Sequence, residues 1–416
     1  MVWIGIVMVL LTFYAIIKNY ETRLVLFVSG GIMAIIGGDP MSALNAFVKE
    51  FTNAGLVPTI CMVLGFSYVM DYTGCSKHLV ISMTSFLKKV KIILIPGAVL
   101  ITFILNIALP SAAGAAAAIG AILIPTLIGS GVHPALAAST VFLGTWGSVM
   151  SPGLMFNPQV AEIAGVDVMT VIASFTKQVL AAVSVAAILL AIIAYVRKEG
   201  AGSQPINQTA EADDFKINYI WAAVPVVPIF LLILGSKQLQ IIPEVTVPVA
   251  MIVGTMLGFI VVRPNVAETA KKFFRGTGDG MCDVVGLIAA AAMFTQGMQL
   301  IGLTGAMIDS MKNSQQVAQF ASAFGPFVIG AISGSGNAAA LAFNGAVTPH
   351  AAQFGYGTIE LGSMAQIGAG LGRCMSPVAG SAIICAKMAG VNPIELAKRN
   401  AIPTIAATIV VMLTLL

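Results

Sequence analysis

Long apolar stretches, separated by short polar clusters, run the whole length of the chain. They fall at 1–17, 24–38, 56–73, 92–129, 134–152 and 167–196, then, after a polar gap, at 217–235, 246–262, 284–304, 317–348, 359–386 and 401–416. Most approach the roughly 20 residues that a helix needs to cross a bilayer. Lipid offers backbone groups no hydrogen-bond partners, so a chain with this pattern and no strand alternation is expected to fold into helices. Two stretches, 92–129 and 317–348, exceed a single crossing and carry Pro, Gly and Ser in their middles, which predicts a re-entrant hairpin in each. Two others are interrupted at Gly147-Ser148-Val149-Met150-Ser151-Pro152 and Gly372-Arg373-Cys374-Met375-Ser376-Pro377. Gly and Pro break a helix there and leave backbone groups in need of other partners.

Composition turns this pattern into a class. Hydrophobic residues make up 58% of the chain, charged residues 9%, and the mean hydropathy is +0.96. A soluble domain is about a quarter charged, so the fold class is an all-α polytopic membrane protein. The 42 glycines suit helices that approach closely in lipid. A net charge of +4 with no long basic run excludes a nucleic-acid partner. Cys61, Cys75, Cys282, Cys374 and Cys385 lack metal-ligand spacing, and His78, His133 and His350 are solitary, so no metal or cofactor is expected. No Asp or Glu lies deep in a span, which leaves no obvious proton or sodium relay. Met1–Ile17 has neither a charged leader nor a small-residue cleavage site, which predicts a retained helix.

The two interruptions expose an internal repeat. Met150-Ser151-Pro152 recurs as Met375-Ser376-Pro377, and Ala164-Gly165-Val166 as Ala389-Gly390-Val391, both at an offset of 225 positions. The chain therefore reads as a duplication, with a first repeat at 1–196, a polar linker at 197–216 and a second repeat at 217–416. Each repeat would contain about five transmembrane helices, a re-entrant hairpin and a broken helix. An odd number of crossings inverts the second repeat. With both termini periplasmic, 16 of the 21 Lys and Arg fall on the cytoplasmic side, as the positive-inside rule requires. That count includes Lys88, Lys89 and Lys91, and leaves Lys49, Lys177, Lys237 and Lys312 outside. Inverted repeats with broken helices are the signature of secondary transporters, which bind substrate where the repeats meet.

Arg373 is the sharpest single residue, because burying a guanidinium in hydrocarbon costs about 3 kcal/mol on insertion scales. A substrate carboxylate would compensate it through the planar fork; carbonyls freed at the break, or Glu360, would do so structurally. Ser333, Ser335, Gly336 and Asn337 form a hairpin tip, followed by an Ala-rich helix whose first N–H groups suit an anion. The tip's mate at an offset of 224 is Ser111. For both, the plainer alternative is a packing kink of small residues. Thr145, Ser148, Ser151 and Asn157 at the first break, with Ser376 and Gln366 at the second, complete a pocket with two roughly equivalent anion subsites. Such a pocket suits a molecule with a carboxylate at each end.

At Ser333-Gly334-Ser335-Gly336-Asn337-Ala338, Leu371-Gly372-Arg373-Cys374-Met375-Ser376-Pro377-Val378-Ala379-Gly380 and Pro393-Ile394-Glu395-Leu396-Ala397-Lys398-Arg399, the sequence resembles the DcuC family of anaerobic C4-dicarboxylate carriers. The resemblance follows span order over most of the chain. It implies exchange of fumarate, malate or aspartate for succinate, or net succinate efflux, in a bacterial inner membrane. It also implies a homodimer with fixed scaffold domains and moving transport domains. An enzyme is disfavoured, since there is no HExxH, no GxSxG beside a His and Asp, and no His pair at helical spacing. A carrier of another small carboxylate or of an amino acid is the alternative within transport.

Overall fold

The computed structural model describes residues 1–416 except 19, 88–93, 201–214, 237–238 and 313–314. Lys88, Lys89, Lys91 and Lys237 of the charge count, and most of the polar linker including Gly202, Ser203, Pro205 and Glu211-Ala212-Asp213-Asp214, lie outside the described residues. Helix is the regular structure among the described residues, with no strand among them. The chain opens with α1 (Val2–Ile17), α2 (Thr22–Gly37) and a short amphipathic α3 (Pro40–Glu50), followed by α4 (Leu56–Tyr72). At Gly74, with φ +77°, the chain bends by 76° into α5 (Cys75–Leu87). A positive φ strains any side chain, so glycine sits at this corner.

The stretch 92–129 resolves into α6 (Leu94–Ala108) and α7 (Ala112–Gly129). Next come α8 (Pro134–Gly144), a 3₁₀ turn at Gly147–Met150, α9 (Phe156–Ala164) and the long α10 (Val168–Val196). After the linker, α11 (Tyr219–Ala223) and α12 (Val227–Leu234) flank a 3₁₀ turn, and α13 (Val247–Val262) follows. A basic amphipathic α14 (Val266–Asp279) continues through a π-helical turn at Gly280–Val285 into α15 (Gly286–Leu300). The chain then forms α16 (Leu303–Lys312), α17 (Gln315–Ser333), α18 (Asn337–Ala346), α19 (Thr358–Arg373), α20 (Gly380–Ala389) and α21 (Pro393–Leu415). The stretch 359–386 is thus two helices joined by non-helical backbone, and α3, α9 and α14 fall between the apolar spans that hydropathy marks.

Five helices among the described residues are long and apolar enough to cross a membrane alone: α7, α10, α14 with α15, α17 and α21. Six shorter apolar units, α1, α2, α6, α11 with α12, α13 and α20, accompany them. Leu180, Ile188 and Ile192 of α10 and Ile402 of α21 are exposed, as lipid-facing positions are. The chain is a polytopic membrane protein.

Two large apolar cores organise the bundle. One joins α6, α7, α8, α10, α19, α20 and α21 around Phe103, Phe142, Trp146 and Phe175; the other joins α1, α2, α4, α15 and α18 around Leu26, Met33, Ile60 and Phe294. Glycine sets the spacing where helices meet. A Cβ on Gly30 of α2 would sit 2.7 Å from the Met293 carbonyl of α15. On α19, a Cβ at Gly368 would strike the Ala323 carbonyl of α17, and one at Gly372 the Phe327 carbonyl. The same contacts recur 224 or 225 positions earlier, where Gly144 abuts the Val99 carbonyl and Gly147 the Phe103 carbonyl. Lipid supplies no hydrophobic drive between helices, so such backbone approach is what holds them.

Candidate substrate-binding site

The second hairpin region begins where α17 stops. Ser333 Oγ lies 2.7 Å from the carbonyl oxygens of Ile329 and Ser335, donating to one of them, and accepts from the Ser335 N–H at 3.2 Å. Its hydroxyl is therefore committed to shaping the turn. Gly334 has φ +75°, and a Cβ there would lie 2.8 Å from Ala379 N, so the turn rests on the backbone just before α20. Gly336 fits against α19, with its would-be Cβ 2.8 Å from Ala369 Cα. Gly336 also caps α18 without a side-chain bond, which leaves the leading N–H groups of that helix open to a ligand. Ser335 is exposed and Asn337 half-buried at this end.

Beside this tip, α19 ends at Arg373 and the backbone turns back, with Ser376 N donating to the Arg373 carbonyl at 3.0 Å. The guanidinium reaches the other half of the chain, where Nη2 donates to the Thr145 carbonyl at 2.8 Å. Its Nε has no partner although it is buried, and neither has the fully buried Ser376 Oγ. No bond joins Arg373 to Glu360 among the described residues. The structural alternative for Arg373 thus accounts for one nitrogen and leaves a second donor free.

The first half is built differently. Ser111 caps α7 by accepting from Gly114 N–H at 3.1 Å, so the hydroxyl expected at this tip serves its own helix. Asn106 Nδ2 donates to the Leu109 carbonyl at 2.7 Å, and its Oδ1 accepts from Ser148 N–H at 2.8 Å, which ties this tip to the first break. Asn157 Nδ2 donates to the carbonyls of Val149 and Ser151, both at 2.8 Å, and its Oδ1 accepts from Gln366 Nε2 of α19 at 2.8 Å. Thr145 Oγ1 donates to the Phe142 carbonyl at 2.8 Å, so Thr145 contributes its carbonyl, not its hydroxyl, to Arg373. Asn400 Nδ2 donates to the Cys374 carbonyl at 3.0 Å.

Each break lies beside its own hairpin tip, and the two breaks are joined through Arg373–Thr145 and Gln366–Asn157. Thr145, Ser148, Ser151, Arg373 and Ser376 are brought to this junction; Ser335, Gly336 and Asn337 stand at the second tip and Ser111 at the first. The surroundings of the two breaks are unequal. The second half offers a cation, a free hydroxyl and an uncapped helix start, whereas the first offers a capped helix and no cation. Neither Asn106 nor Asn400 is among the residues singled out from sequence; Asn106 is a buried amide in an apolar span, the signal that finds such residues, whereas Asn400 follows the charged Lys398-Arg399 and carries no such signal.

The sequence matches the family described as the C4-dicarboxylate anaerobic carrier, DcuC, over residues 2–416. The chain belongs to the DcuC family. A putative uncharacterized transporter of Haemophilus influenzae is 35% identical over 279 residues, covering 64% of this chain and all of that protein. The anaerobic C4-dicarboxylate transporter DcuC of Escherichia coli K12 is 25% identical across 98% of this chain and 95% of its own length. A probable anaerobic C4-dicarboxylate transporter DcuC of Vibrio cholerae is 24% identical across 99% and 96%. Members of the family are membrane transporters, not enzymes, and this chain is one of them.

Proposed function

We propose that this DcuC-family protein is a secondary carrier of C4-dicarboxylates in a bacterial inner membrane, exchanging succinate, fumarate and malate or releasing succinate. The observation that carries the reading is the spare donor of Arg373, buried beside the unpartnered Ser376 hydroxyl near an uncapped helix start. A buried cation with an open N–H is a standing site for a carboxylate, which accepts charge-assisted hydrogen bonds. The C4-dicarboxylate carriers named among the relatives supply the rest of the substrate. The second carboxylate would lie toward Ser148, Ser151 and Ser111.

Access from the two sides would alternate by an elevator-type motion, in a homodimer whose termini face the periplasm. The recurrence of the glycine contacts Gly144–Val99 and Gly147–Phe103 at Gly368–Ala323 and Gly372–Phe327 supports the duplication behind this reading, and the charge count supports the inversion. Radiolabelled succinate uptake into proteoliposomes, with and without internal fumarate and under no ion gradient, tests the function. Uptake that requires internal dicarboxylate establishes exchange. Uptake driven only by an added proton or sodium gradient would replace exchange by symport, and none under any condition would overturn the substrate. The inequality of the two subsites keeps a second reading in view, a carrier of small carboxylates with one charged end. Competition by a half-ester of succinate as strong as that by succinate would favour it.

A further inference from the structure

We infer that the indole N–H of Trp146 is a hydrogen-bond donor for the substrate end that Arg373 does not hold. Trp146 follows Thr145, whose carbonyl receives Arg373, and it sits at the entry to the 3₁₀ turn of the first break. Its side chain is fully buried and its ring packs edge-on to Phe103, with centroids 4.9 Å apart. Its Nε1 has no hydrogen-bond partner. Indole nitrogen only donates, and a buried donor without an acceptor is destabilising unless something arrives to accept from it. Apolar side chains of the first core pack around it, and none of the described residues accepts from its Nε1.

The position is also one of asymmetry. At the offset of 225, Trp146 corresponds to Leu371 and Arg373 to Ser148. One break therefore brings a cationic donor and the other a neutral one. Arg373 Nε, Trp146 Nε1 and Ser376 Oγ are all unpartnered at or beside the junction of the breaks. A ligand with an acceptor at each end would satisfy the first two together. Among the described residues no backbone carbonyl accepts from either nitrogen, and those of Thr145, Val149, Ser151 and Cys374 are already engaged by other side chains. The chemical class is thus an elongated small molecule with a carboxylate for Arg373 and a second oxygen acceptor for Trp146. This inference rests on the dicarboxylate reading and adds a specificity residue to it.

The test exchanges one atom. In a Trp3→Phe/Trp221→Phe background, position 146 is the sole tryptophan, and the chain can be produced with the sulfur isostere β-(3-benzothienyl)alanine in its place. That side chain keeps the bicyclic shape and loses the N–H. Succinate binding to the purified protein should weaken by about tenfold, the effect of losing one hydrogen bond to a charged acceptor, while the melting temperature without succinate should not fall, since the variant loses a buried donor that has no partner there. Trp146→Phe should show the same loss. In the background protein itself, succinate should shift the emission of Trp146 without any substitution at the site. Unchanged affinity in the isostere, or emission that does not respond to saturating succinate, would overturn the role of Trp146 while leaving the dicarboxylate reading intact. Failure of the unmodified protein to bind any C4-dicarboxylate would overturn that reading, and this inference with it.

Discussion

Replacing Arg373 separates its two partners. One nitrogen, Nη2, is held by the Thr145 carbonyl at 2.8 Å, and Nε is buried without a partner. A carboxylate approaching the Nε edge can take Nε–H and the remaining Nη2 hydrogen as a two-pronged fork. Charge-assisted bonds contribute about 1.5–3 kcal/mol each, so Arg373→Ala should weaken succinate binding by at least about 3 kcal/mol, roughly a hundredfold in Kd. Arg373→Lys restores a point charge but not the planar fork. Its Kd should fall between the two, about tenfold weaker than wild type. Titration of detergent-purified protein with succinate measures both, and a melting curve run alongside reports what loss of the Thr145 contact does to the fold. A wild-type Kd in the alanine variant would refute the assignment of Arg373 to substrate. A lysine variant as tight as wild type would refute the fork and leave only a charge.

The remaining predictions concern the frame around that residue. Gly372→Ala and Gly147→Ala each push a methyl into a facing carbonyl and should destabilise the protein by about 1–3 kcal/mol, whereas Gly380→Ala, with nothing within 4 Å, should leave the melting temperature unchanged. Equal melting temperatures in all three would show that these helices do not meet as described. Ser376→Ala should raise the Kd for succinate without lowering stability, because its hydroxyl has no partner to lose, while Ser333→Ala should lower stability by loosening the turn; the reverse assignment would exchange their roles. Burial, reinforced by the charge of Glu162, raises the Glu50 carboxyl above its usual range, with Asn53 opposing. A raised value in the fold favours the protonated form, so the stability Glu50 contributes is complete at low pH and is lost as pH rises through that value. Glu50→Gln should therefore raise the melting temperature at about pH 8 and leave it unchanged at about pH 4; an equal effect at both would exclude titration of this carboxyl as the cause.

Much of the architecture could be read from hydropathy because lipid permits so few solutions. The apolar stretches map onto α1, α2, α4, α10, α13, α15 and α21, and the Pro and Gly interruptions mark where α6 gives way to α7, α8 to its 3₁₀ turn and α19 to α20. Amphipathic helices escaped: α3 and α9 mix polar and apolar residues at lengths too short for a span, and α14 is the charged start of the longer helix that α15 completes. Arg373 was legible as a buried cation, and a structural partner among freed carbonyls was one of the alternatives. Which carbonyl could not be read, because Thr145 lies 228 positions away. The pairing of Ser111 with Ser335 misleads for a related reason. Polar content already favours the second tip, but which serine caps depends on its place relative to the helix start: Ser111 is itself the N-cap of α7 and accepts from Gly114 N–H, whereas Ser335 precedes the N-cap Gly336 of α18.

The breaks themselves explain why so few polar groups remain for a ligand. A helix interrupted in lipid strands carbonyls that must find donors. Here Leu109, Val149, Ser151 and Cys374 are served by the amides of Asn106, Asn157 and Asn400, and Thr145 by Arg373. The side-chain amide hydrogens are thus turned toward backbone, and Arg373 is the one cation among these residues with a donor to spare. Several of the same bonds cross between the halves: Arg373 to Thr145, Gln366 to Asn157, and Asn400 to the Ser139 carbonyl. Separating the breaks would strand each of those groups in a low dielectric, at about 1–3 kcal/mol apiece. A substrate held between them is then more cheaply carried by moving the joined breaks as one body than by prying them apart. This energetic preference is the physical ground for proposing that alternating access here is a displacement of the whole site.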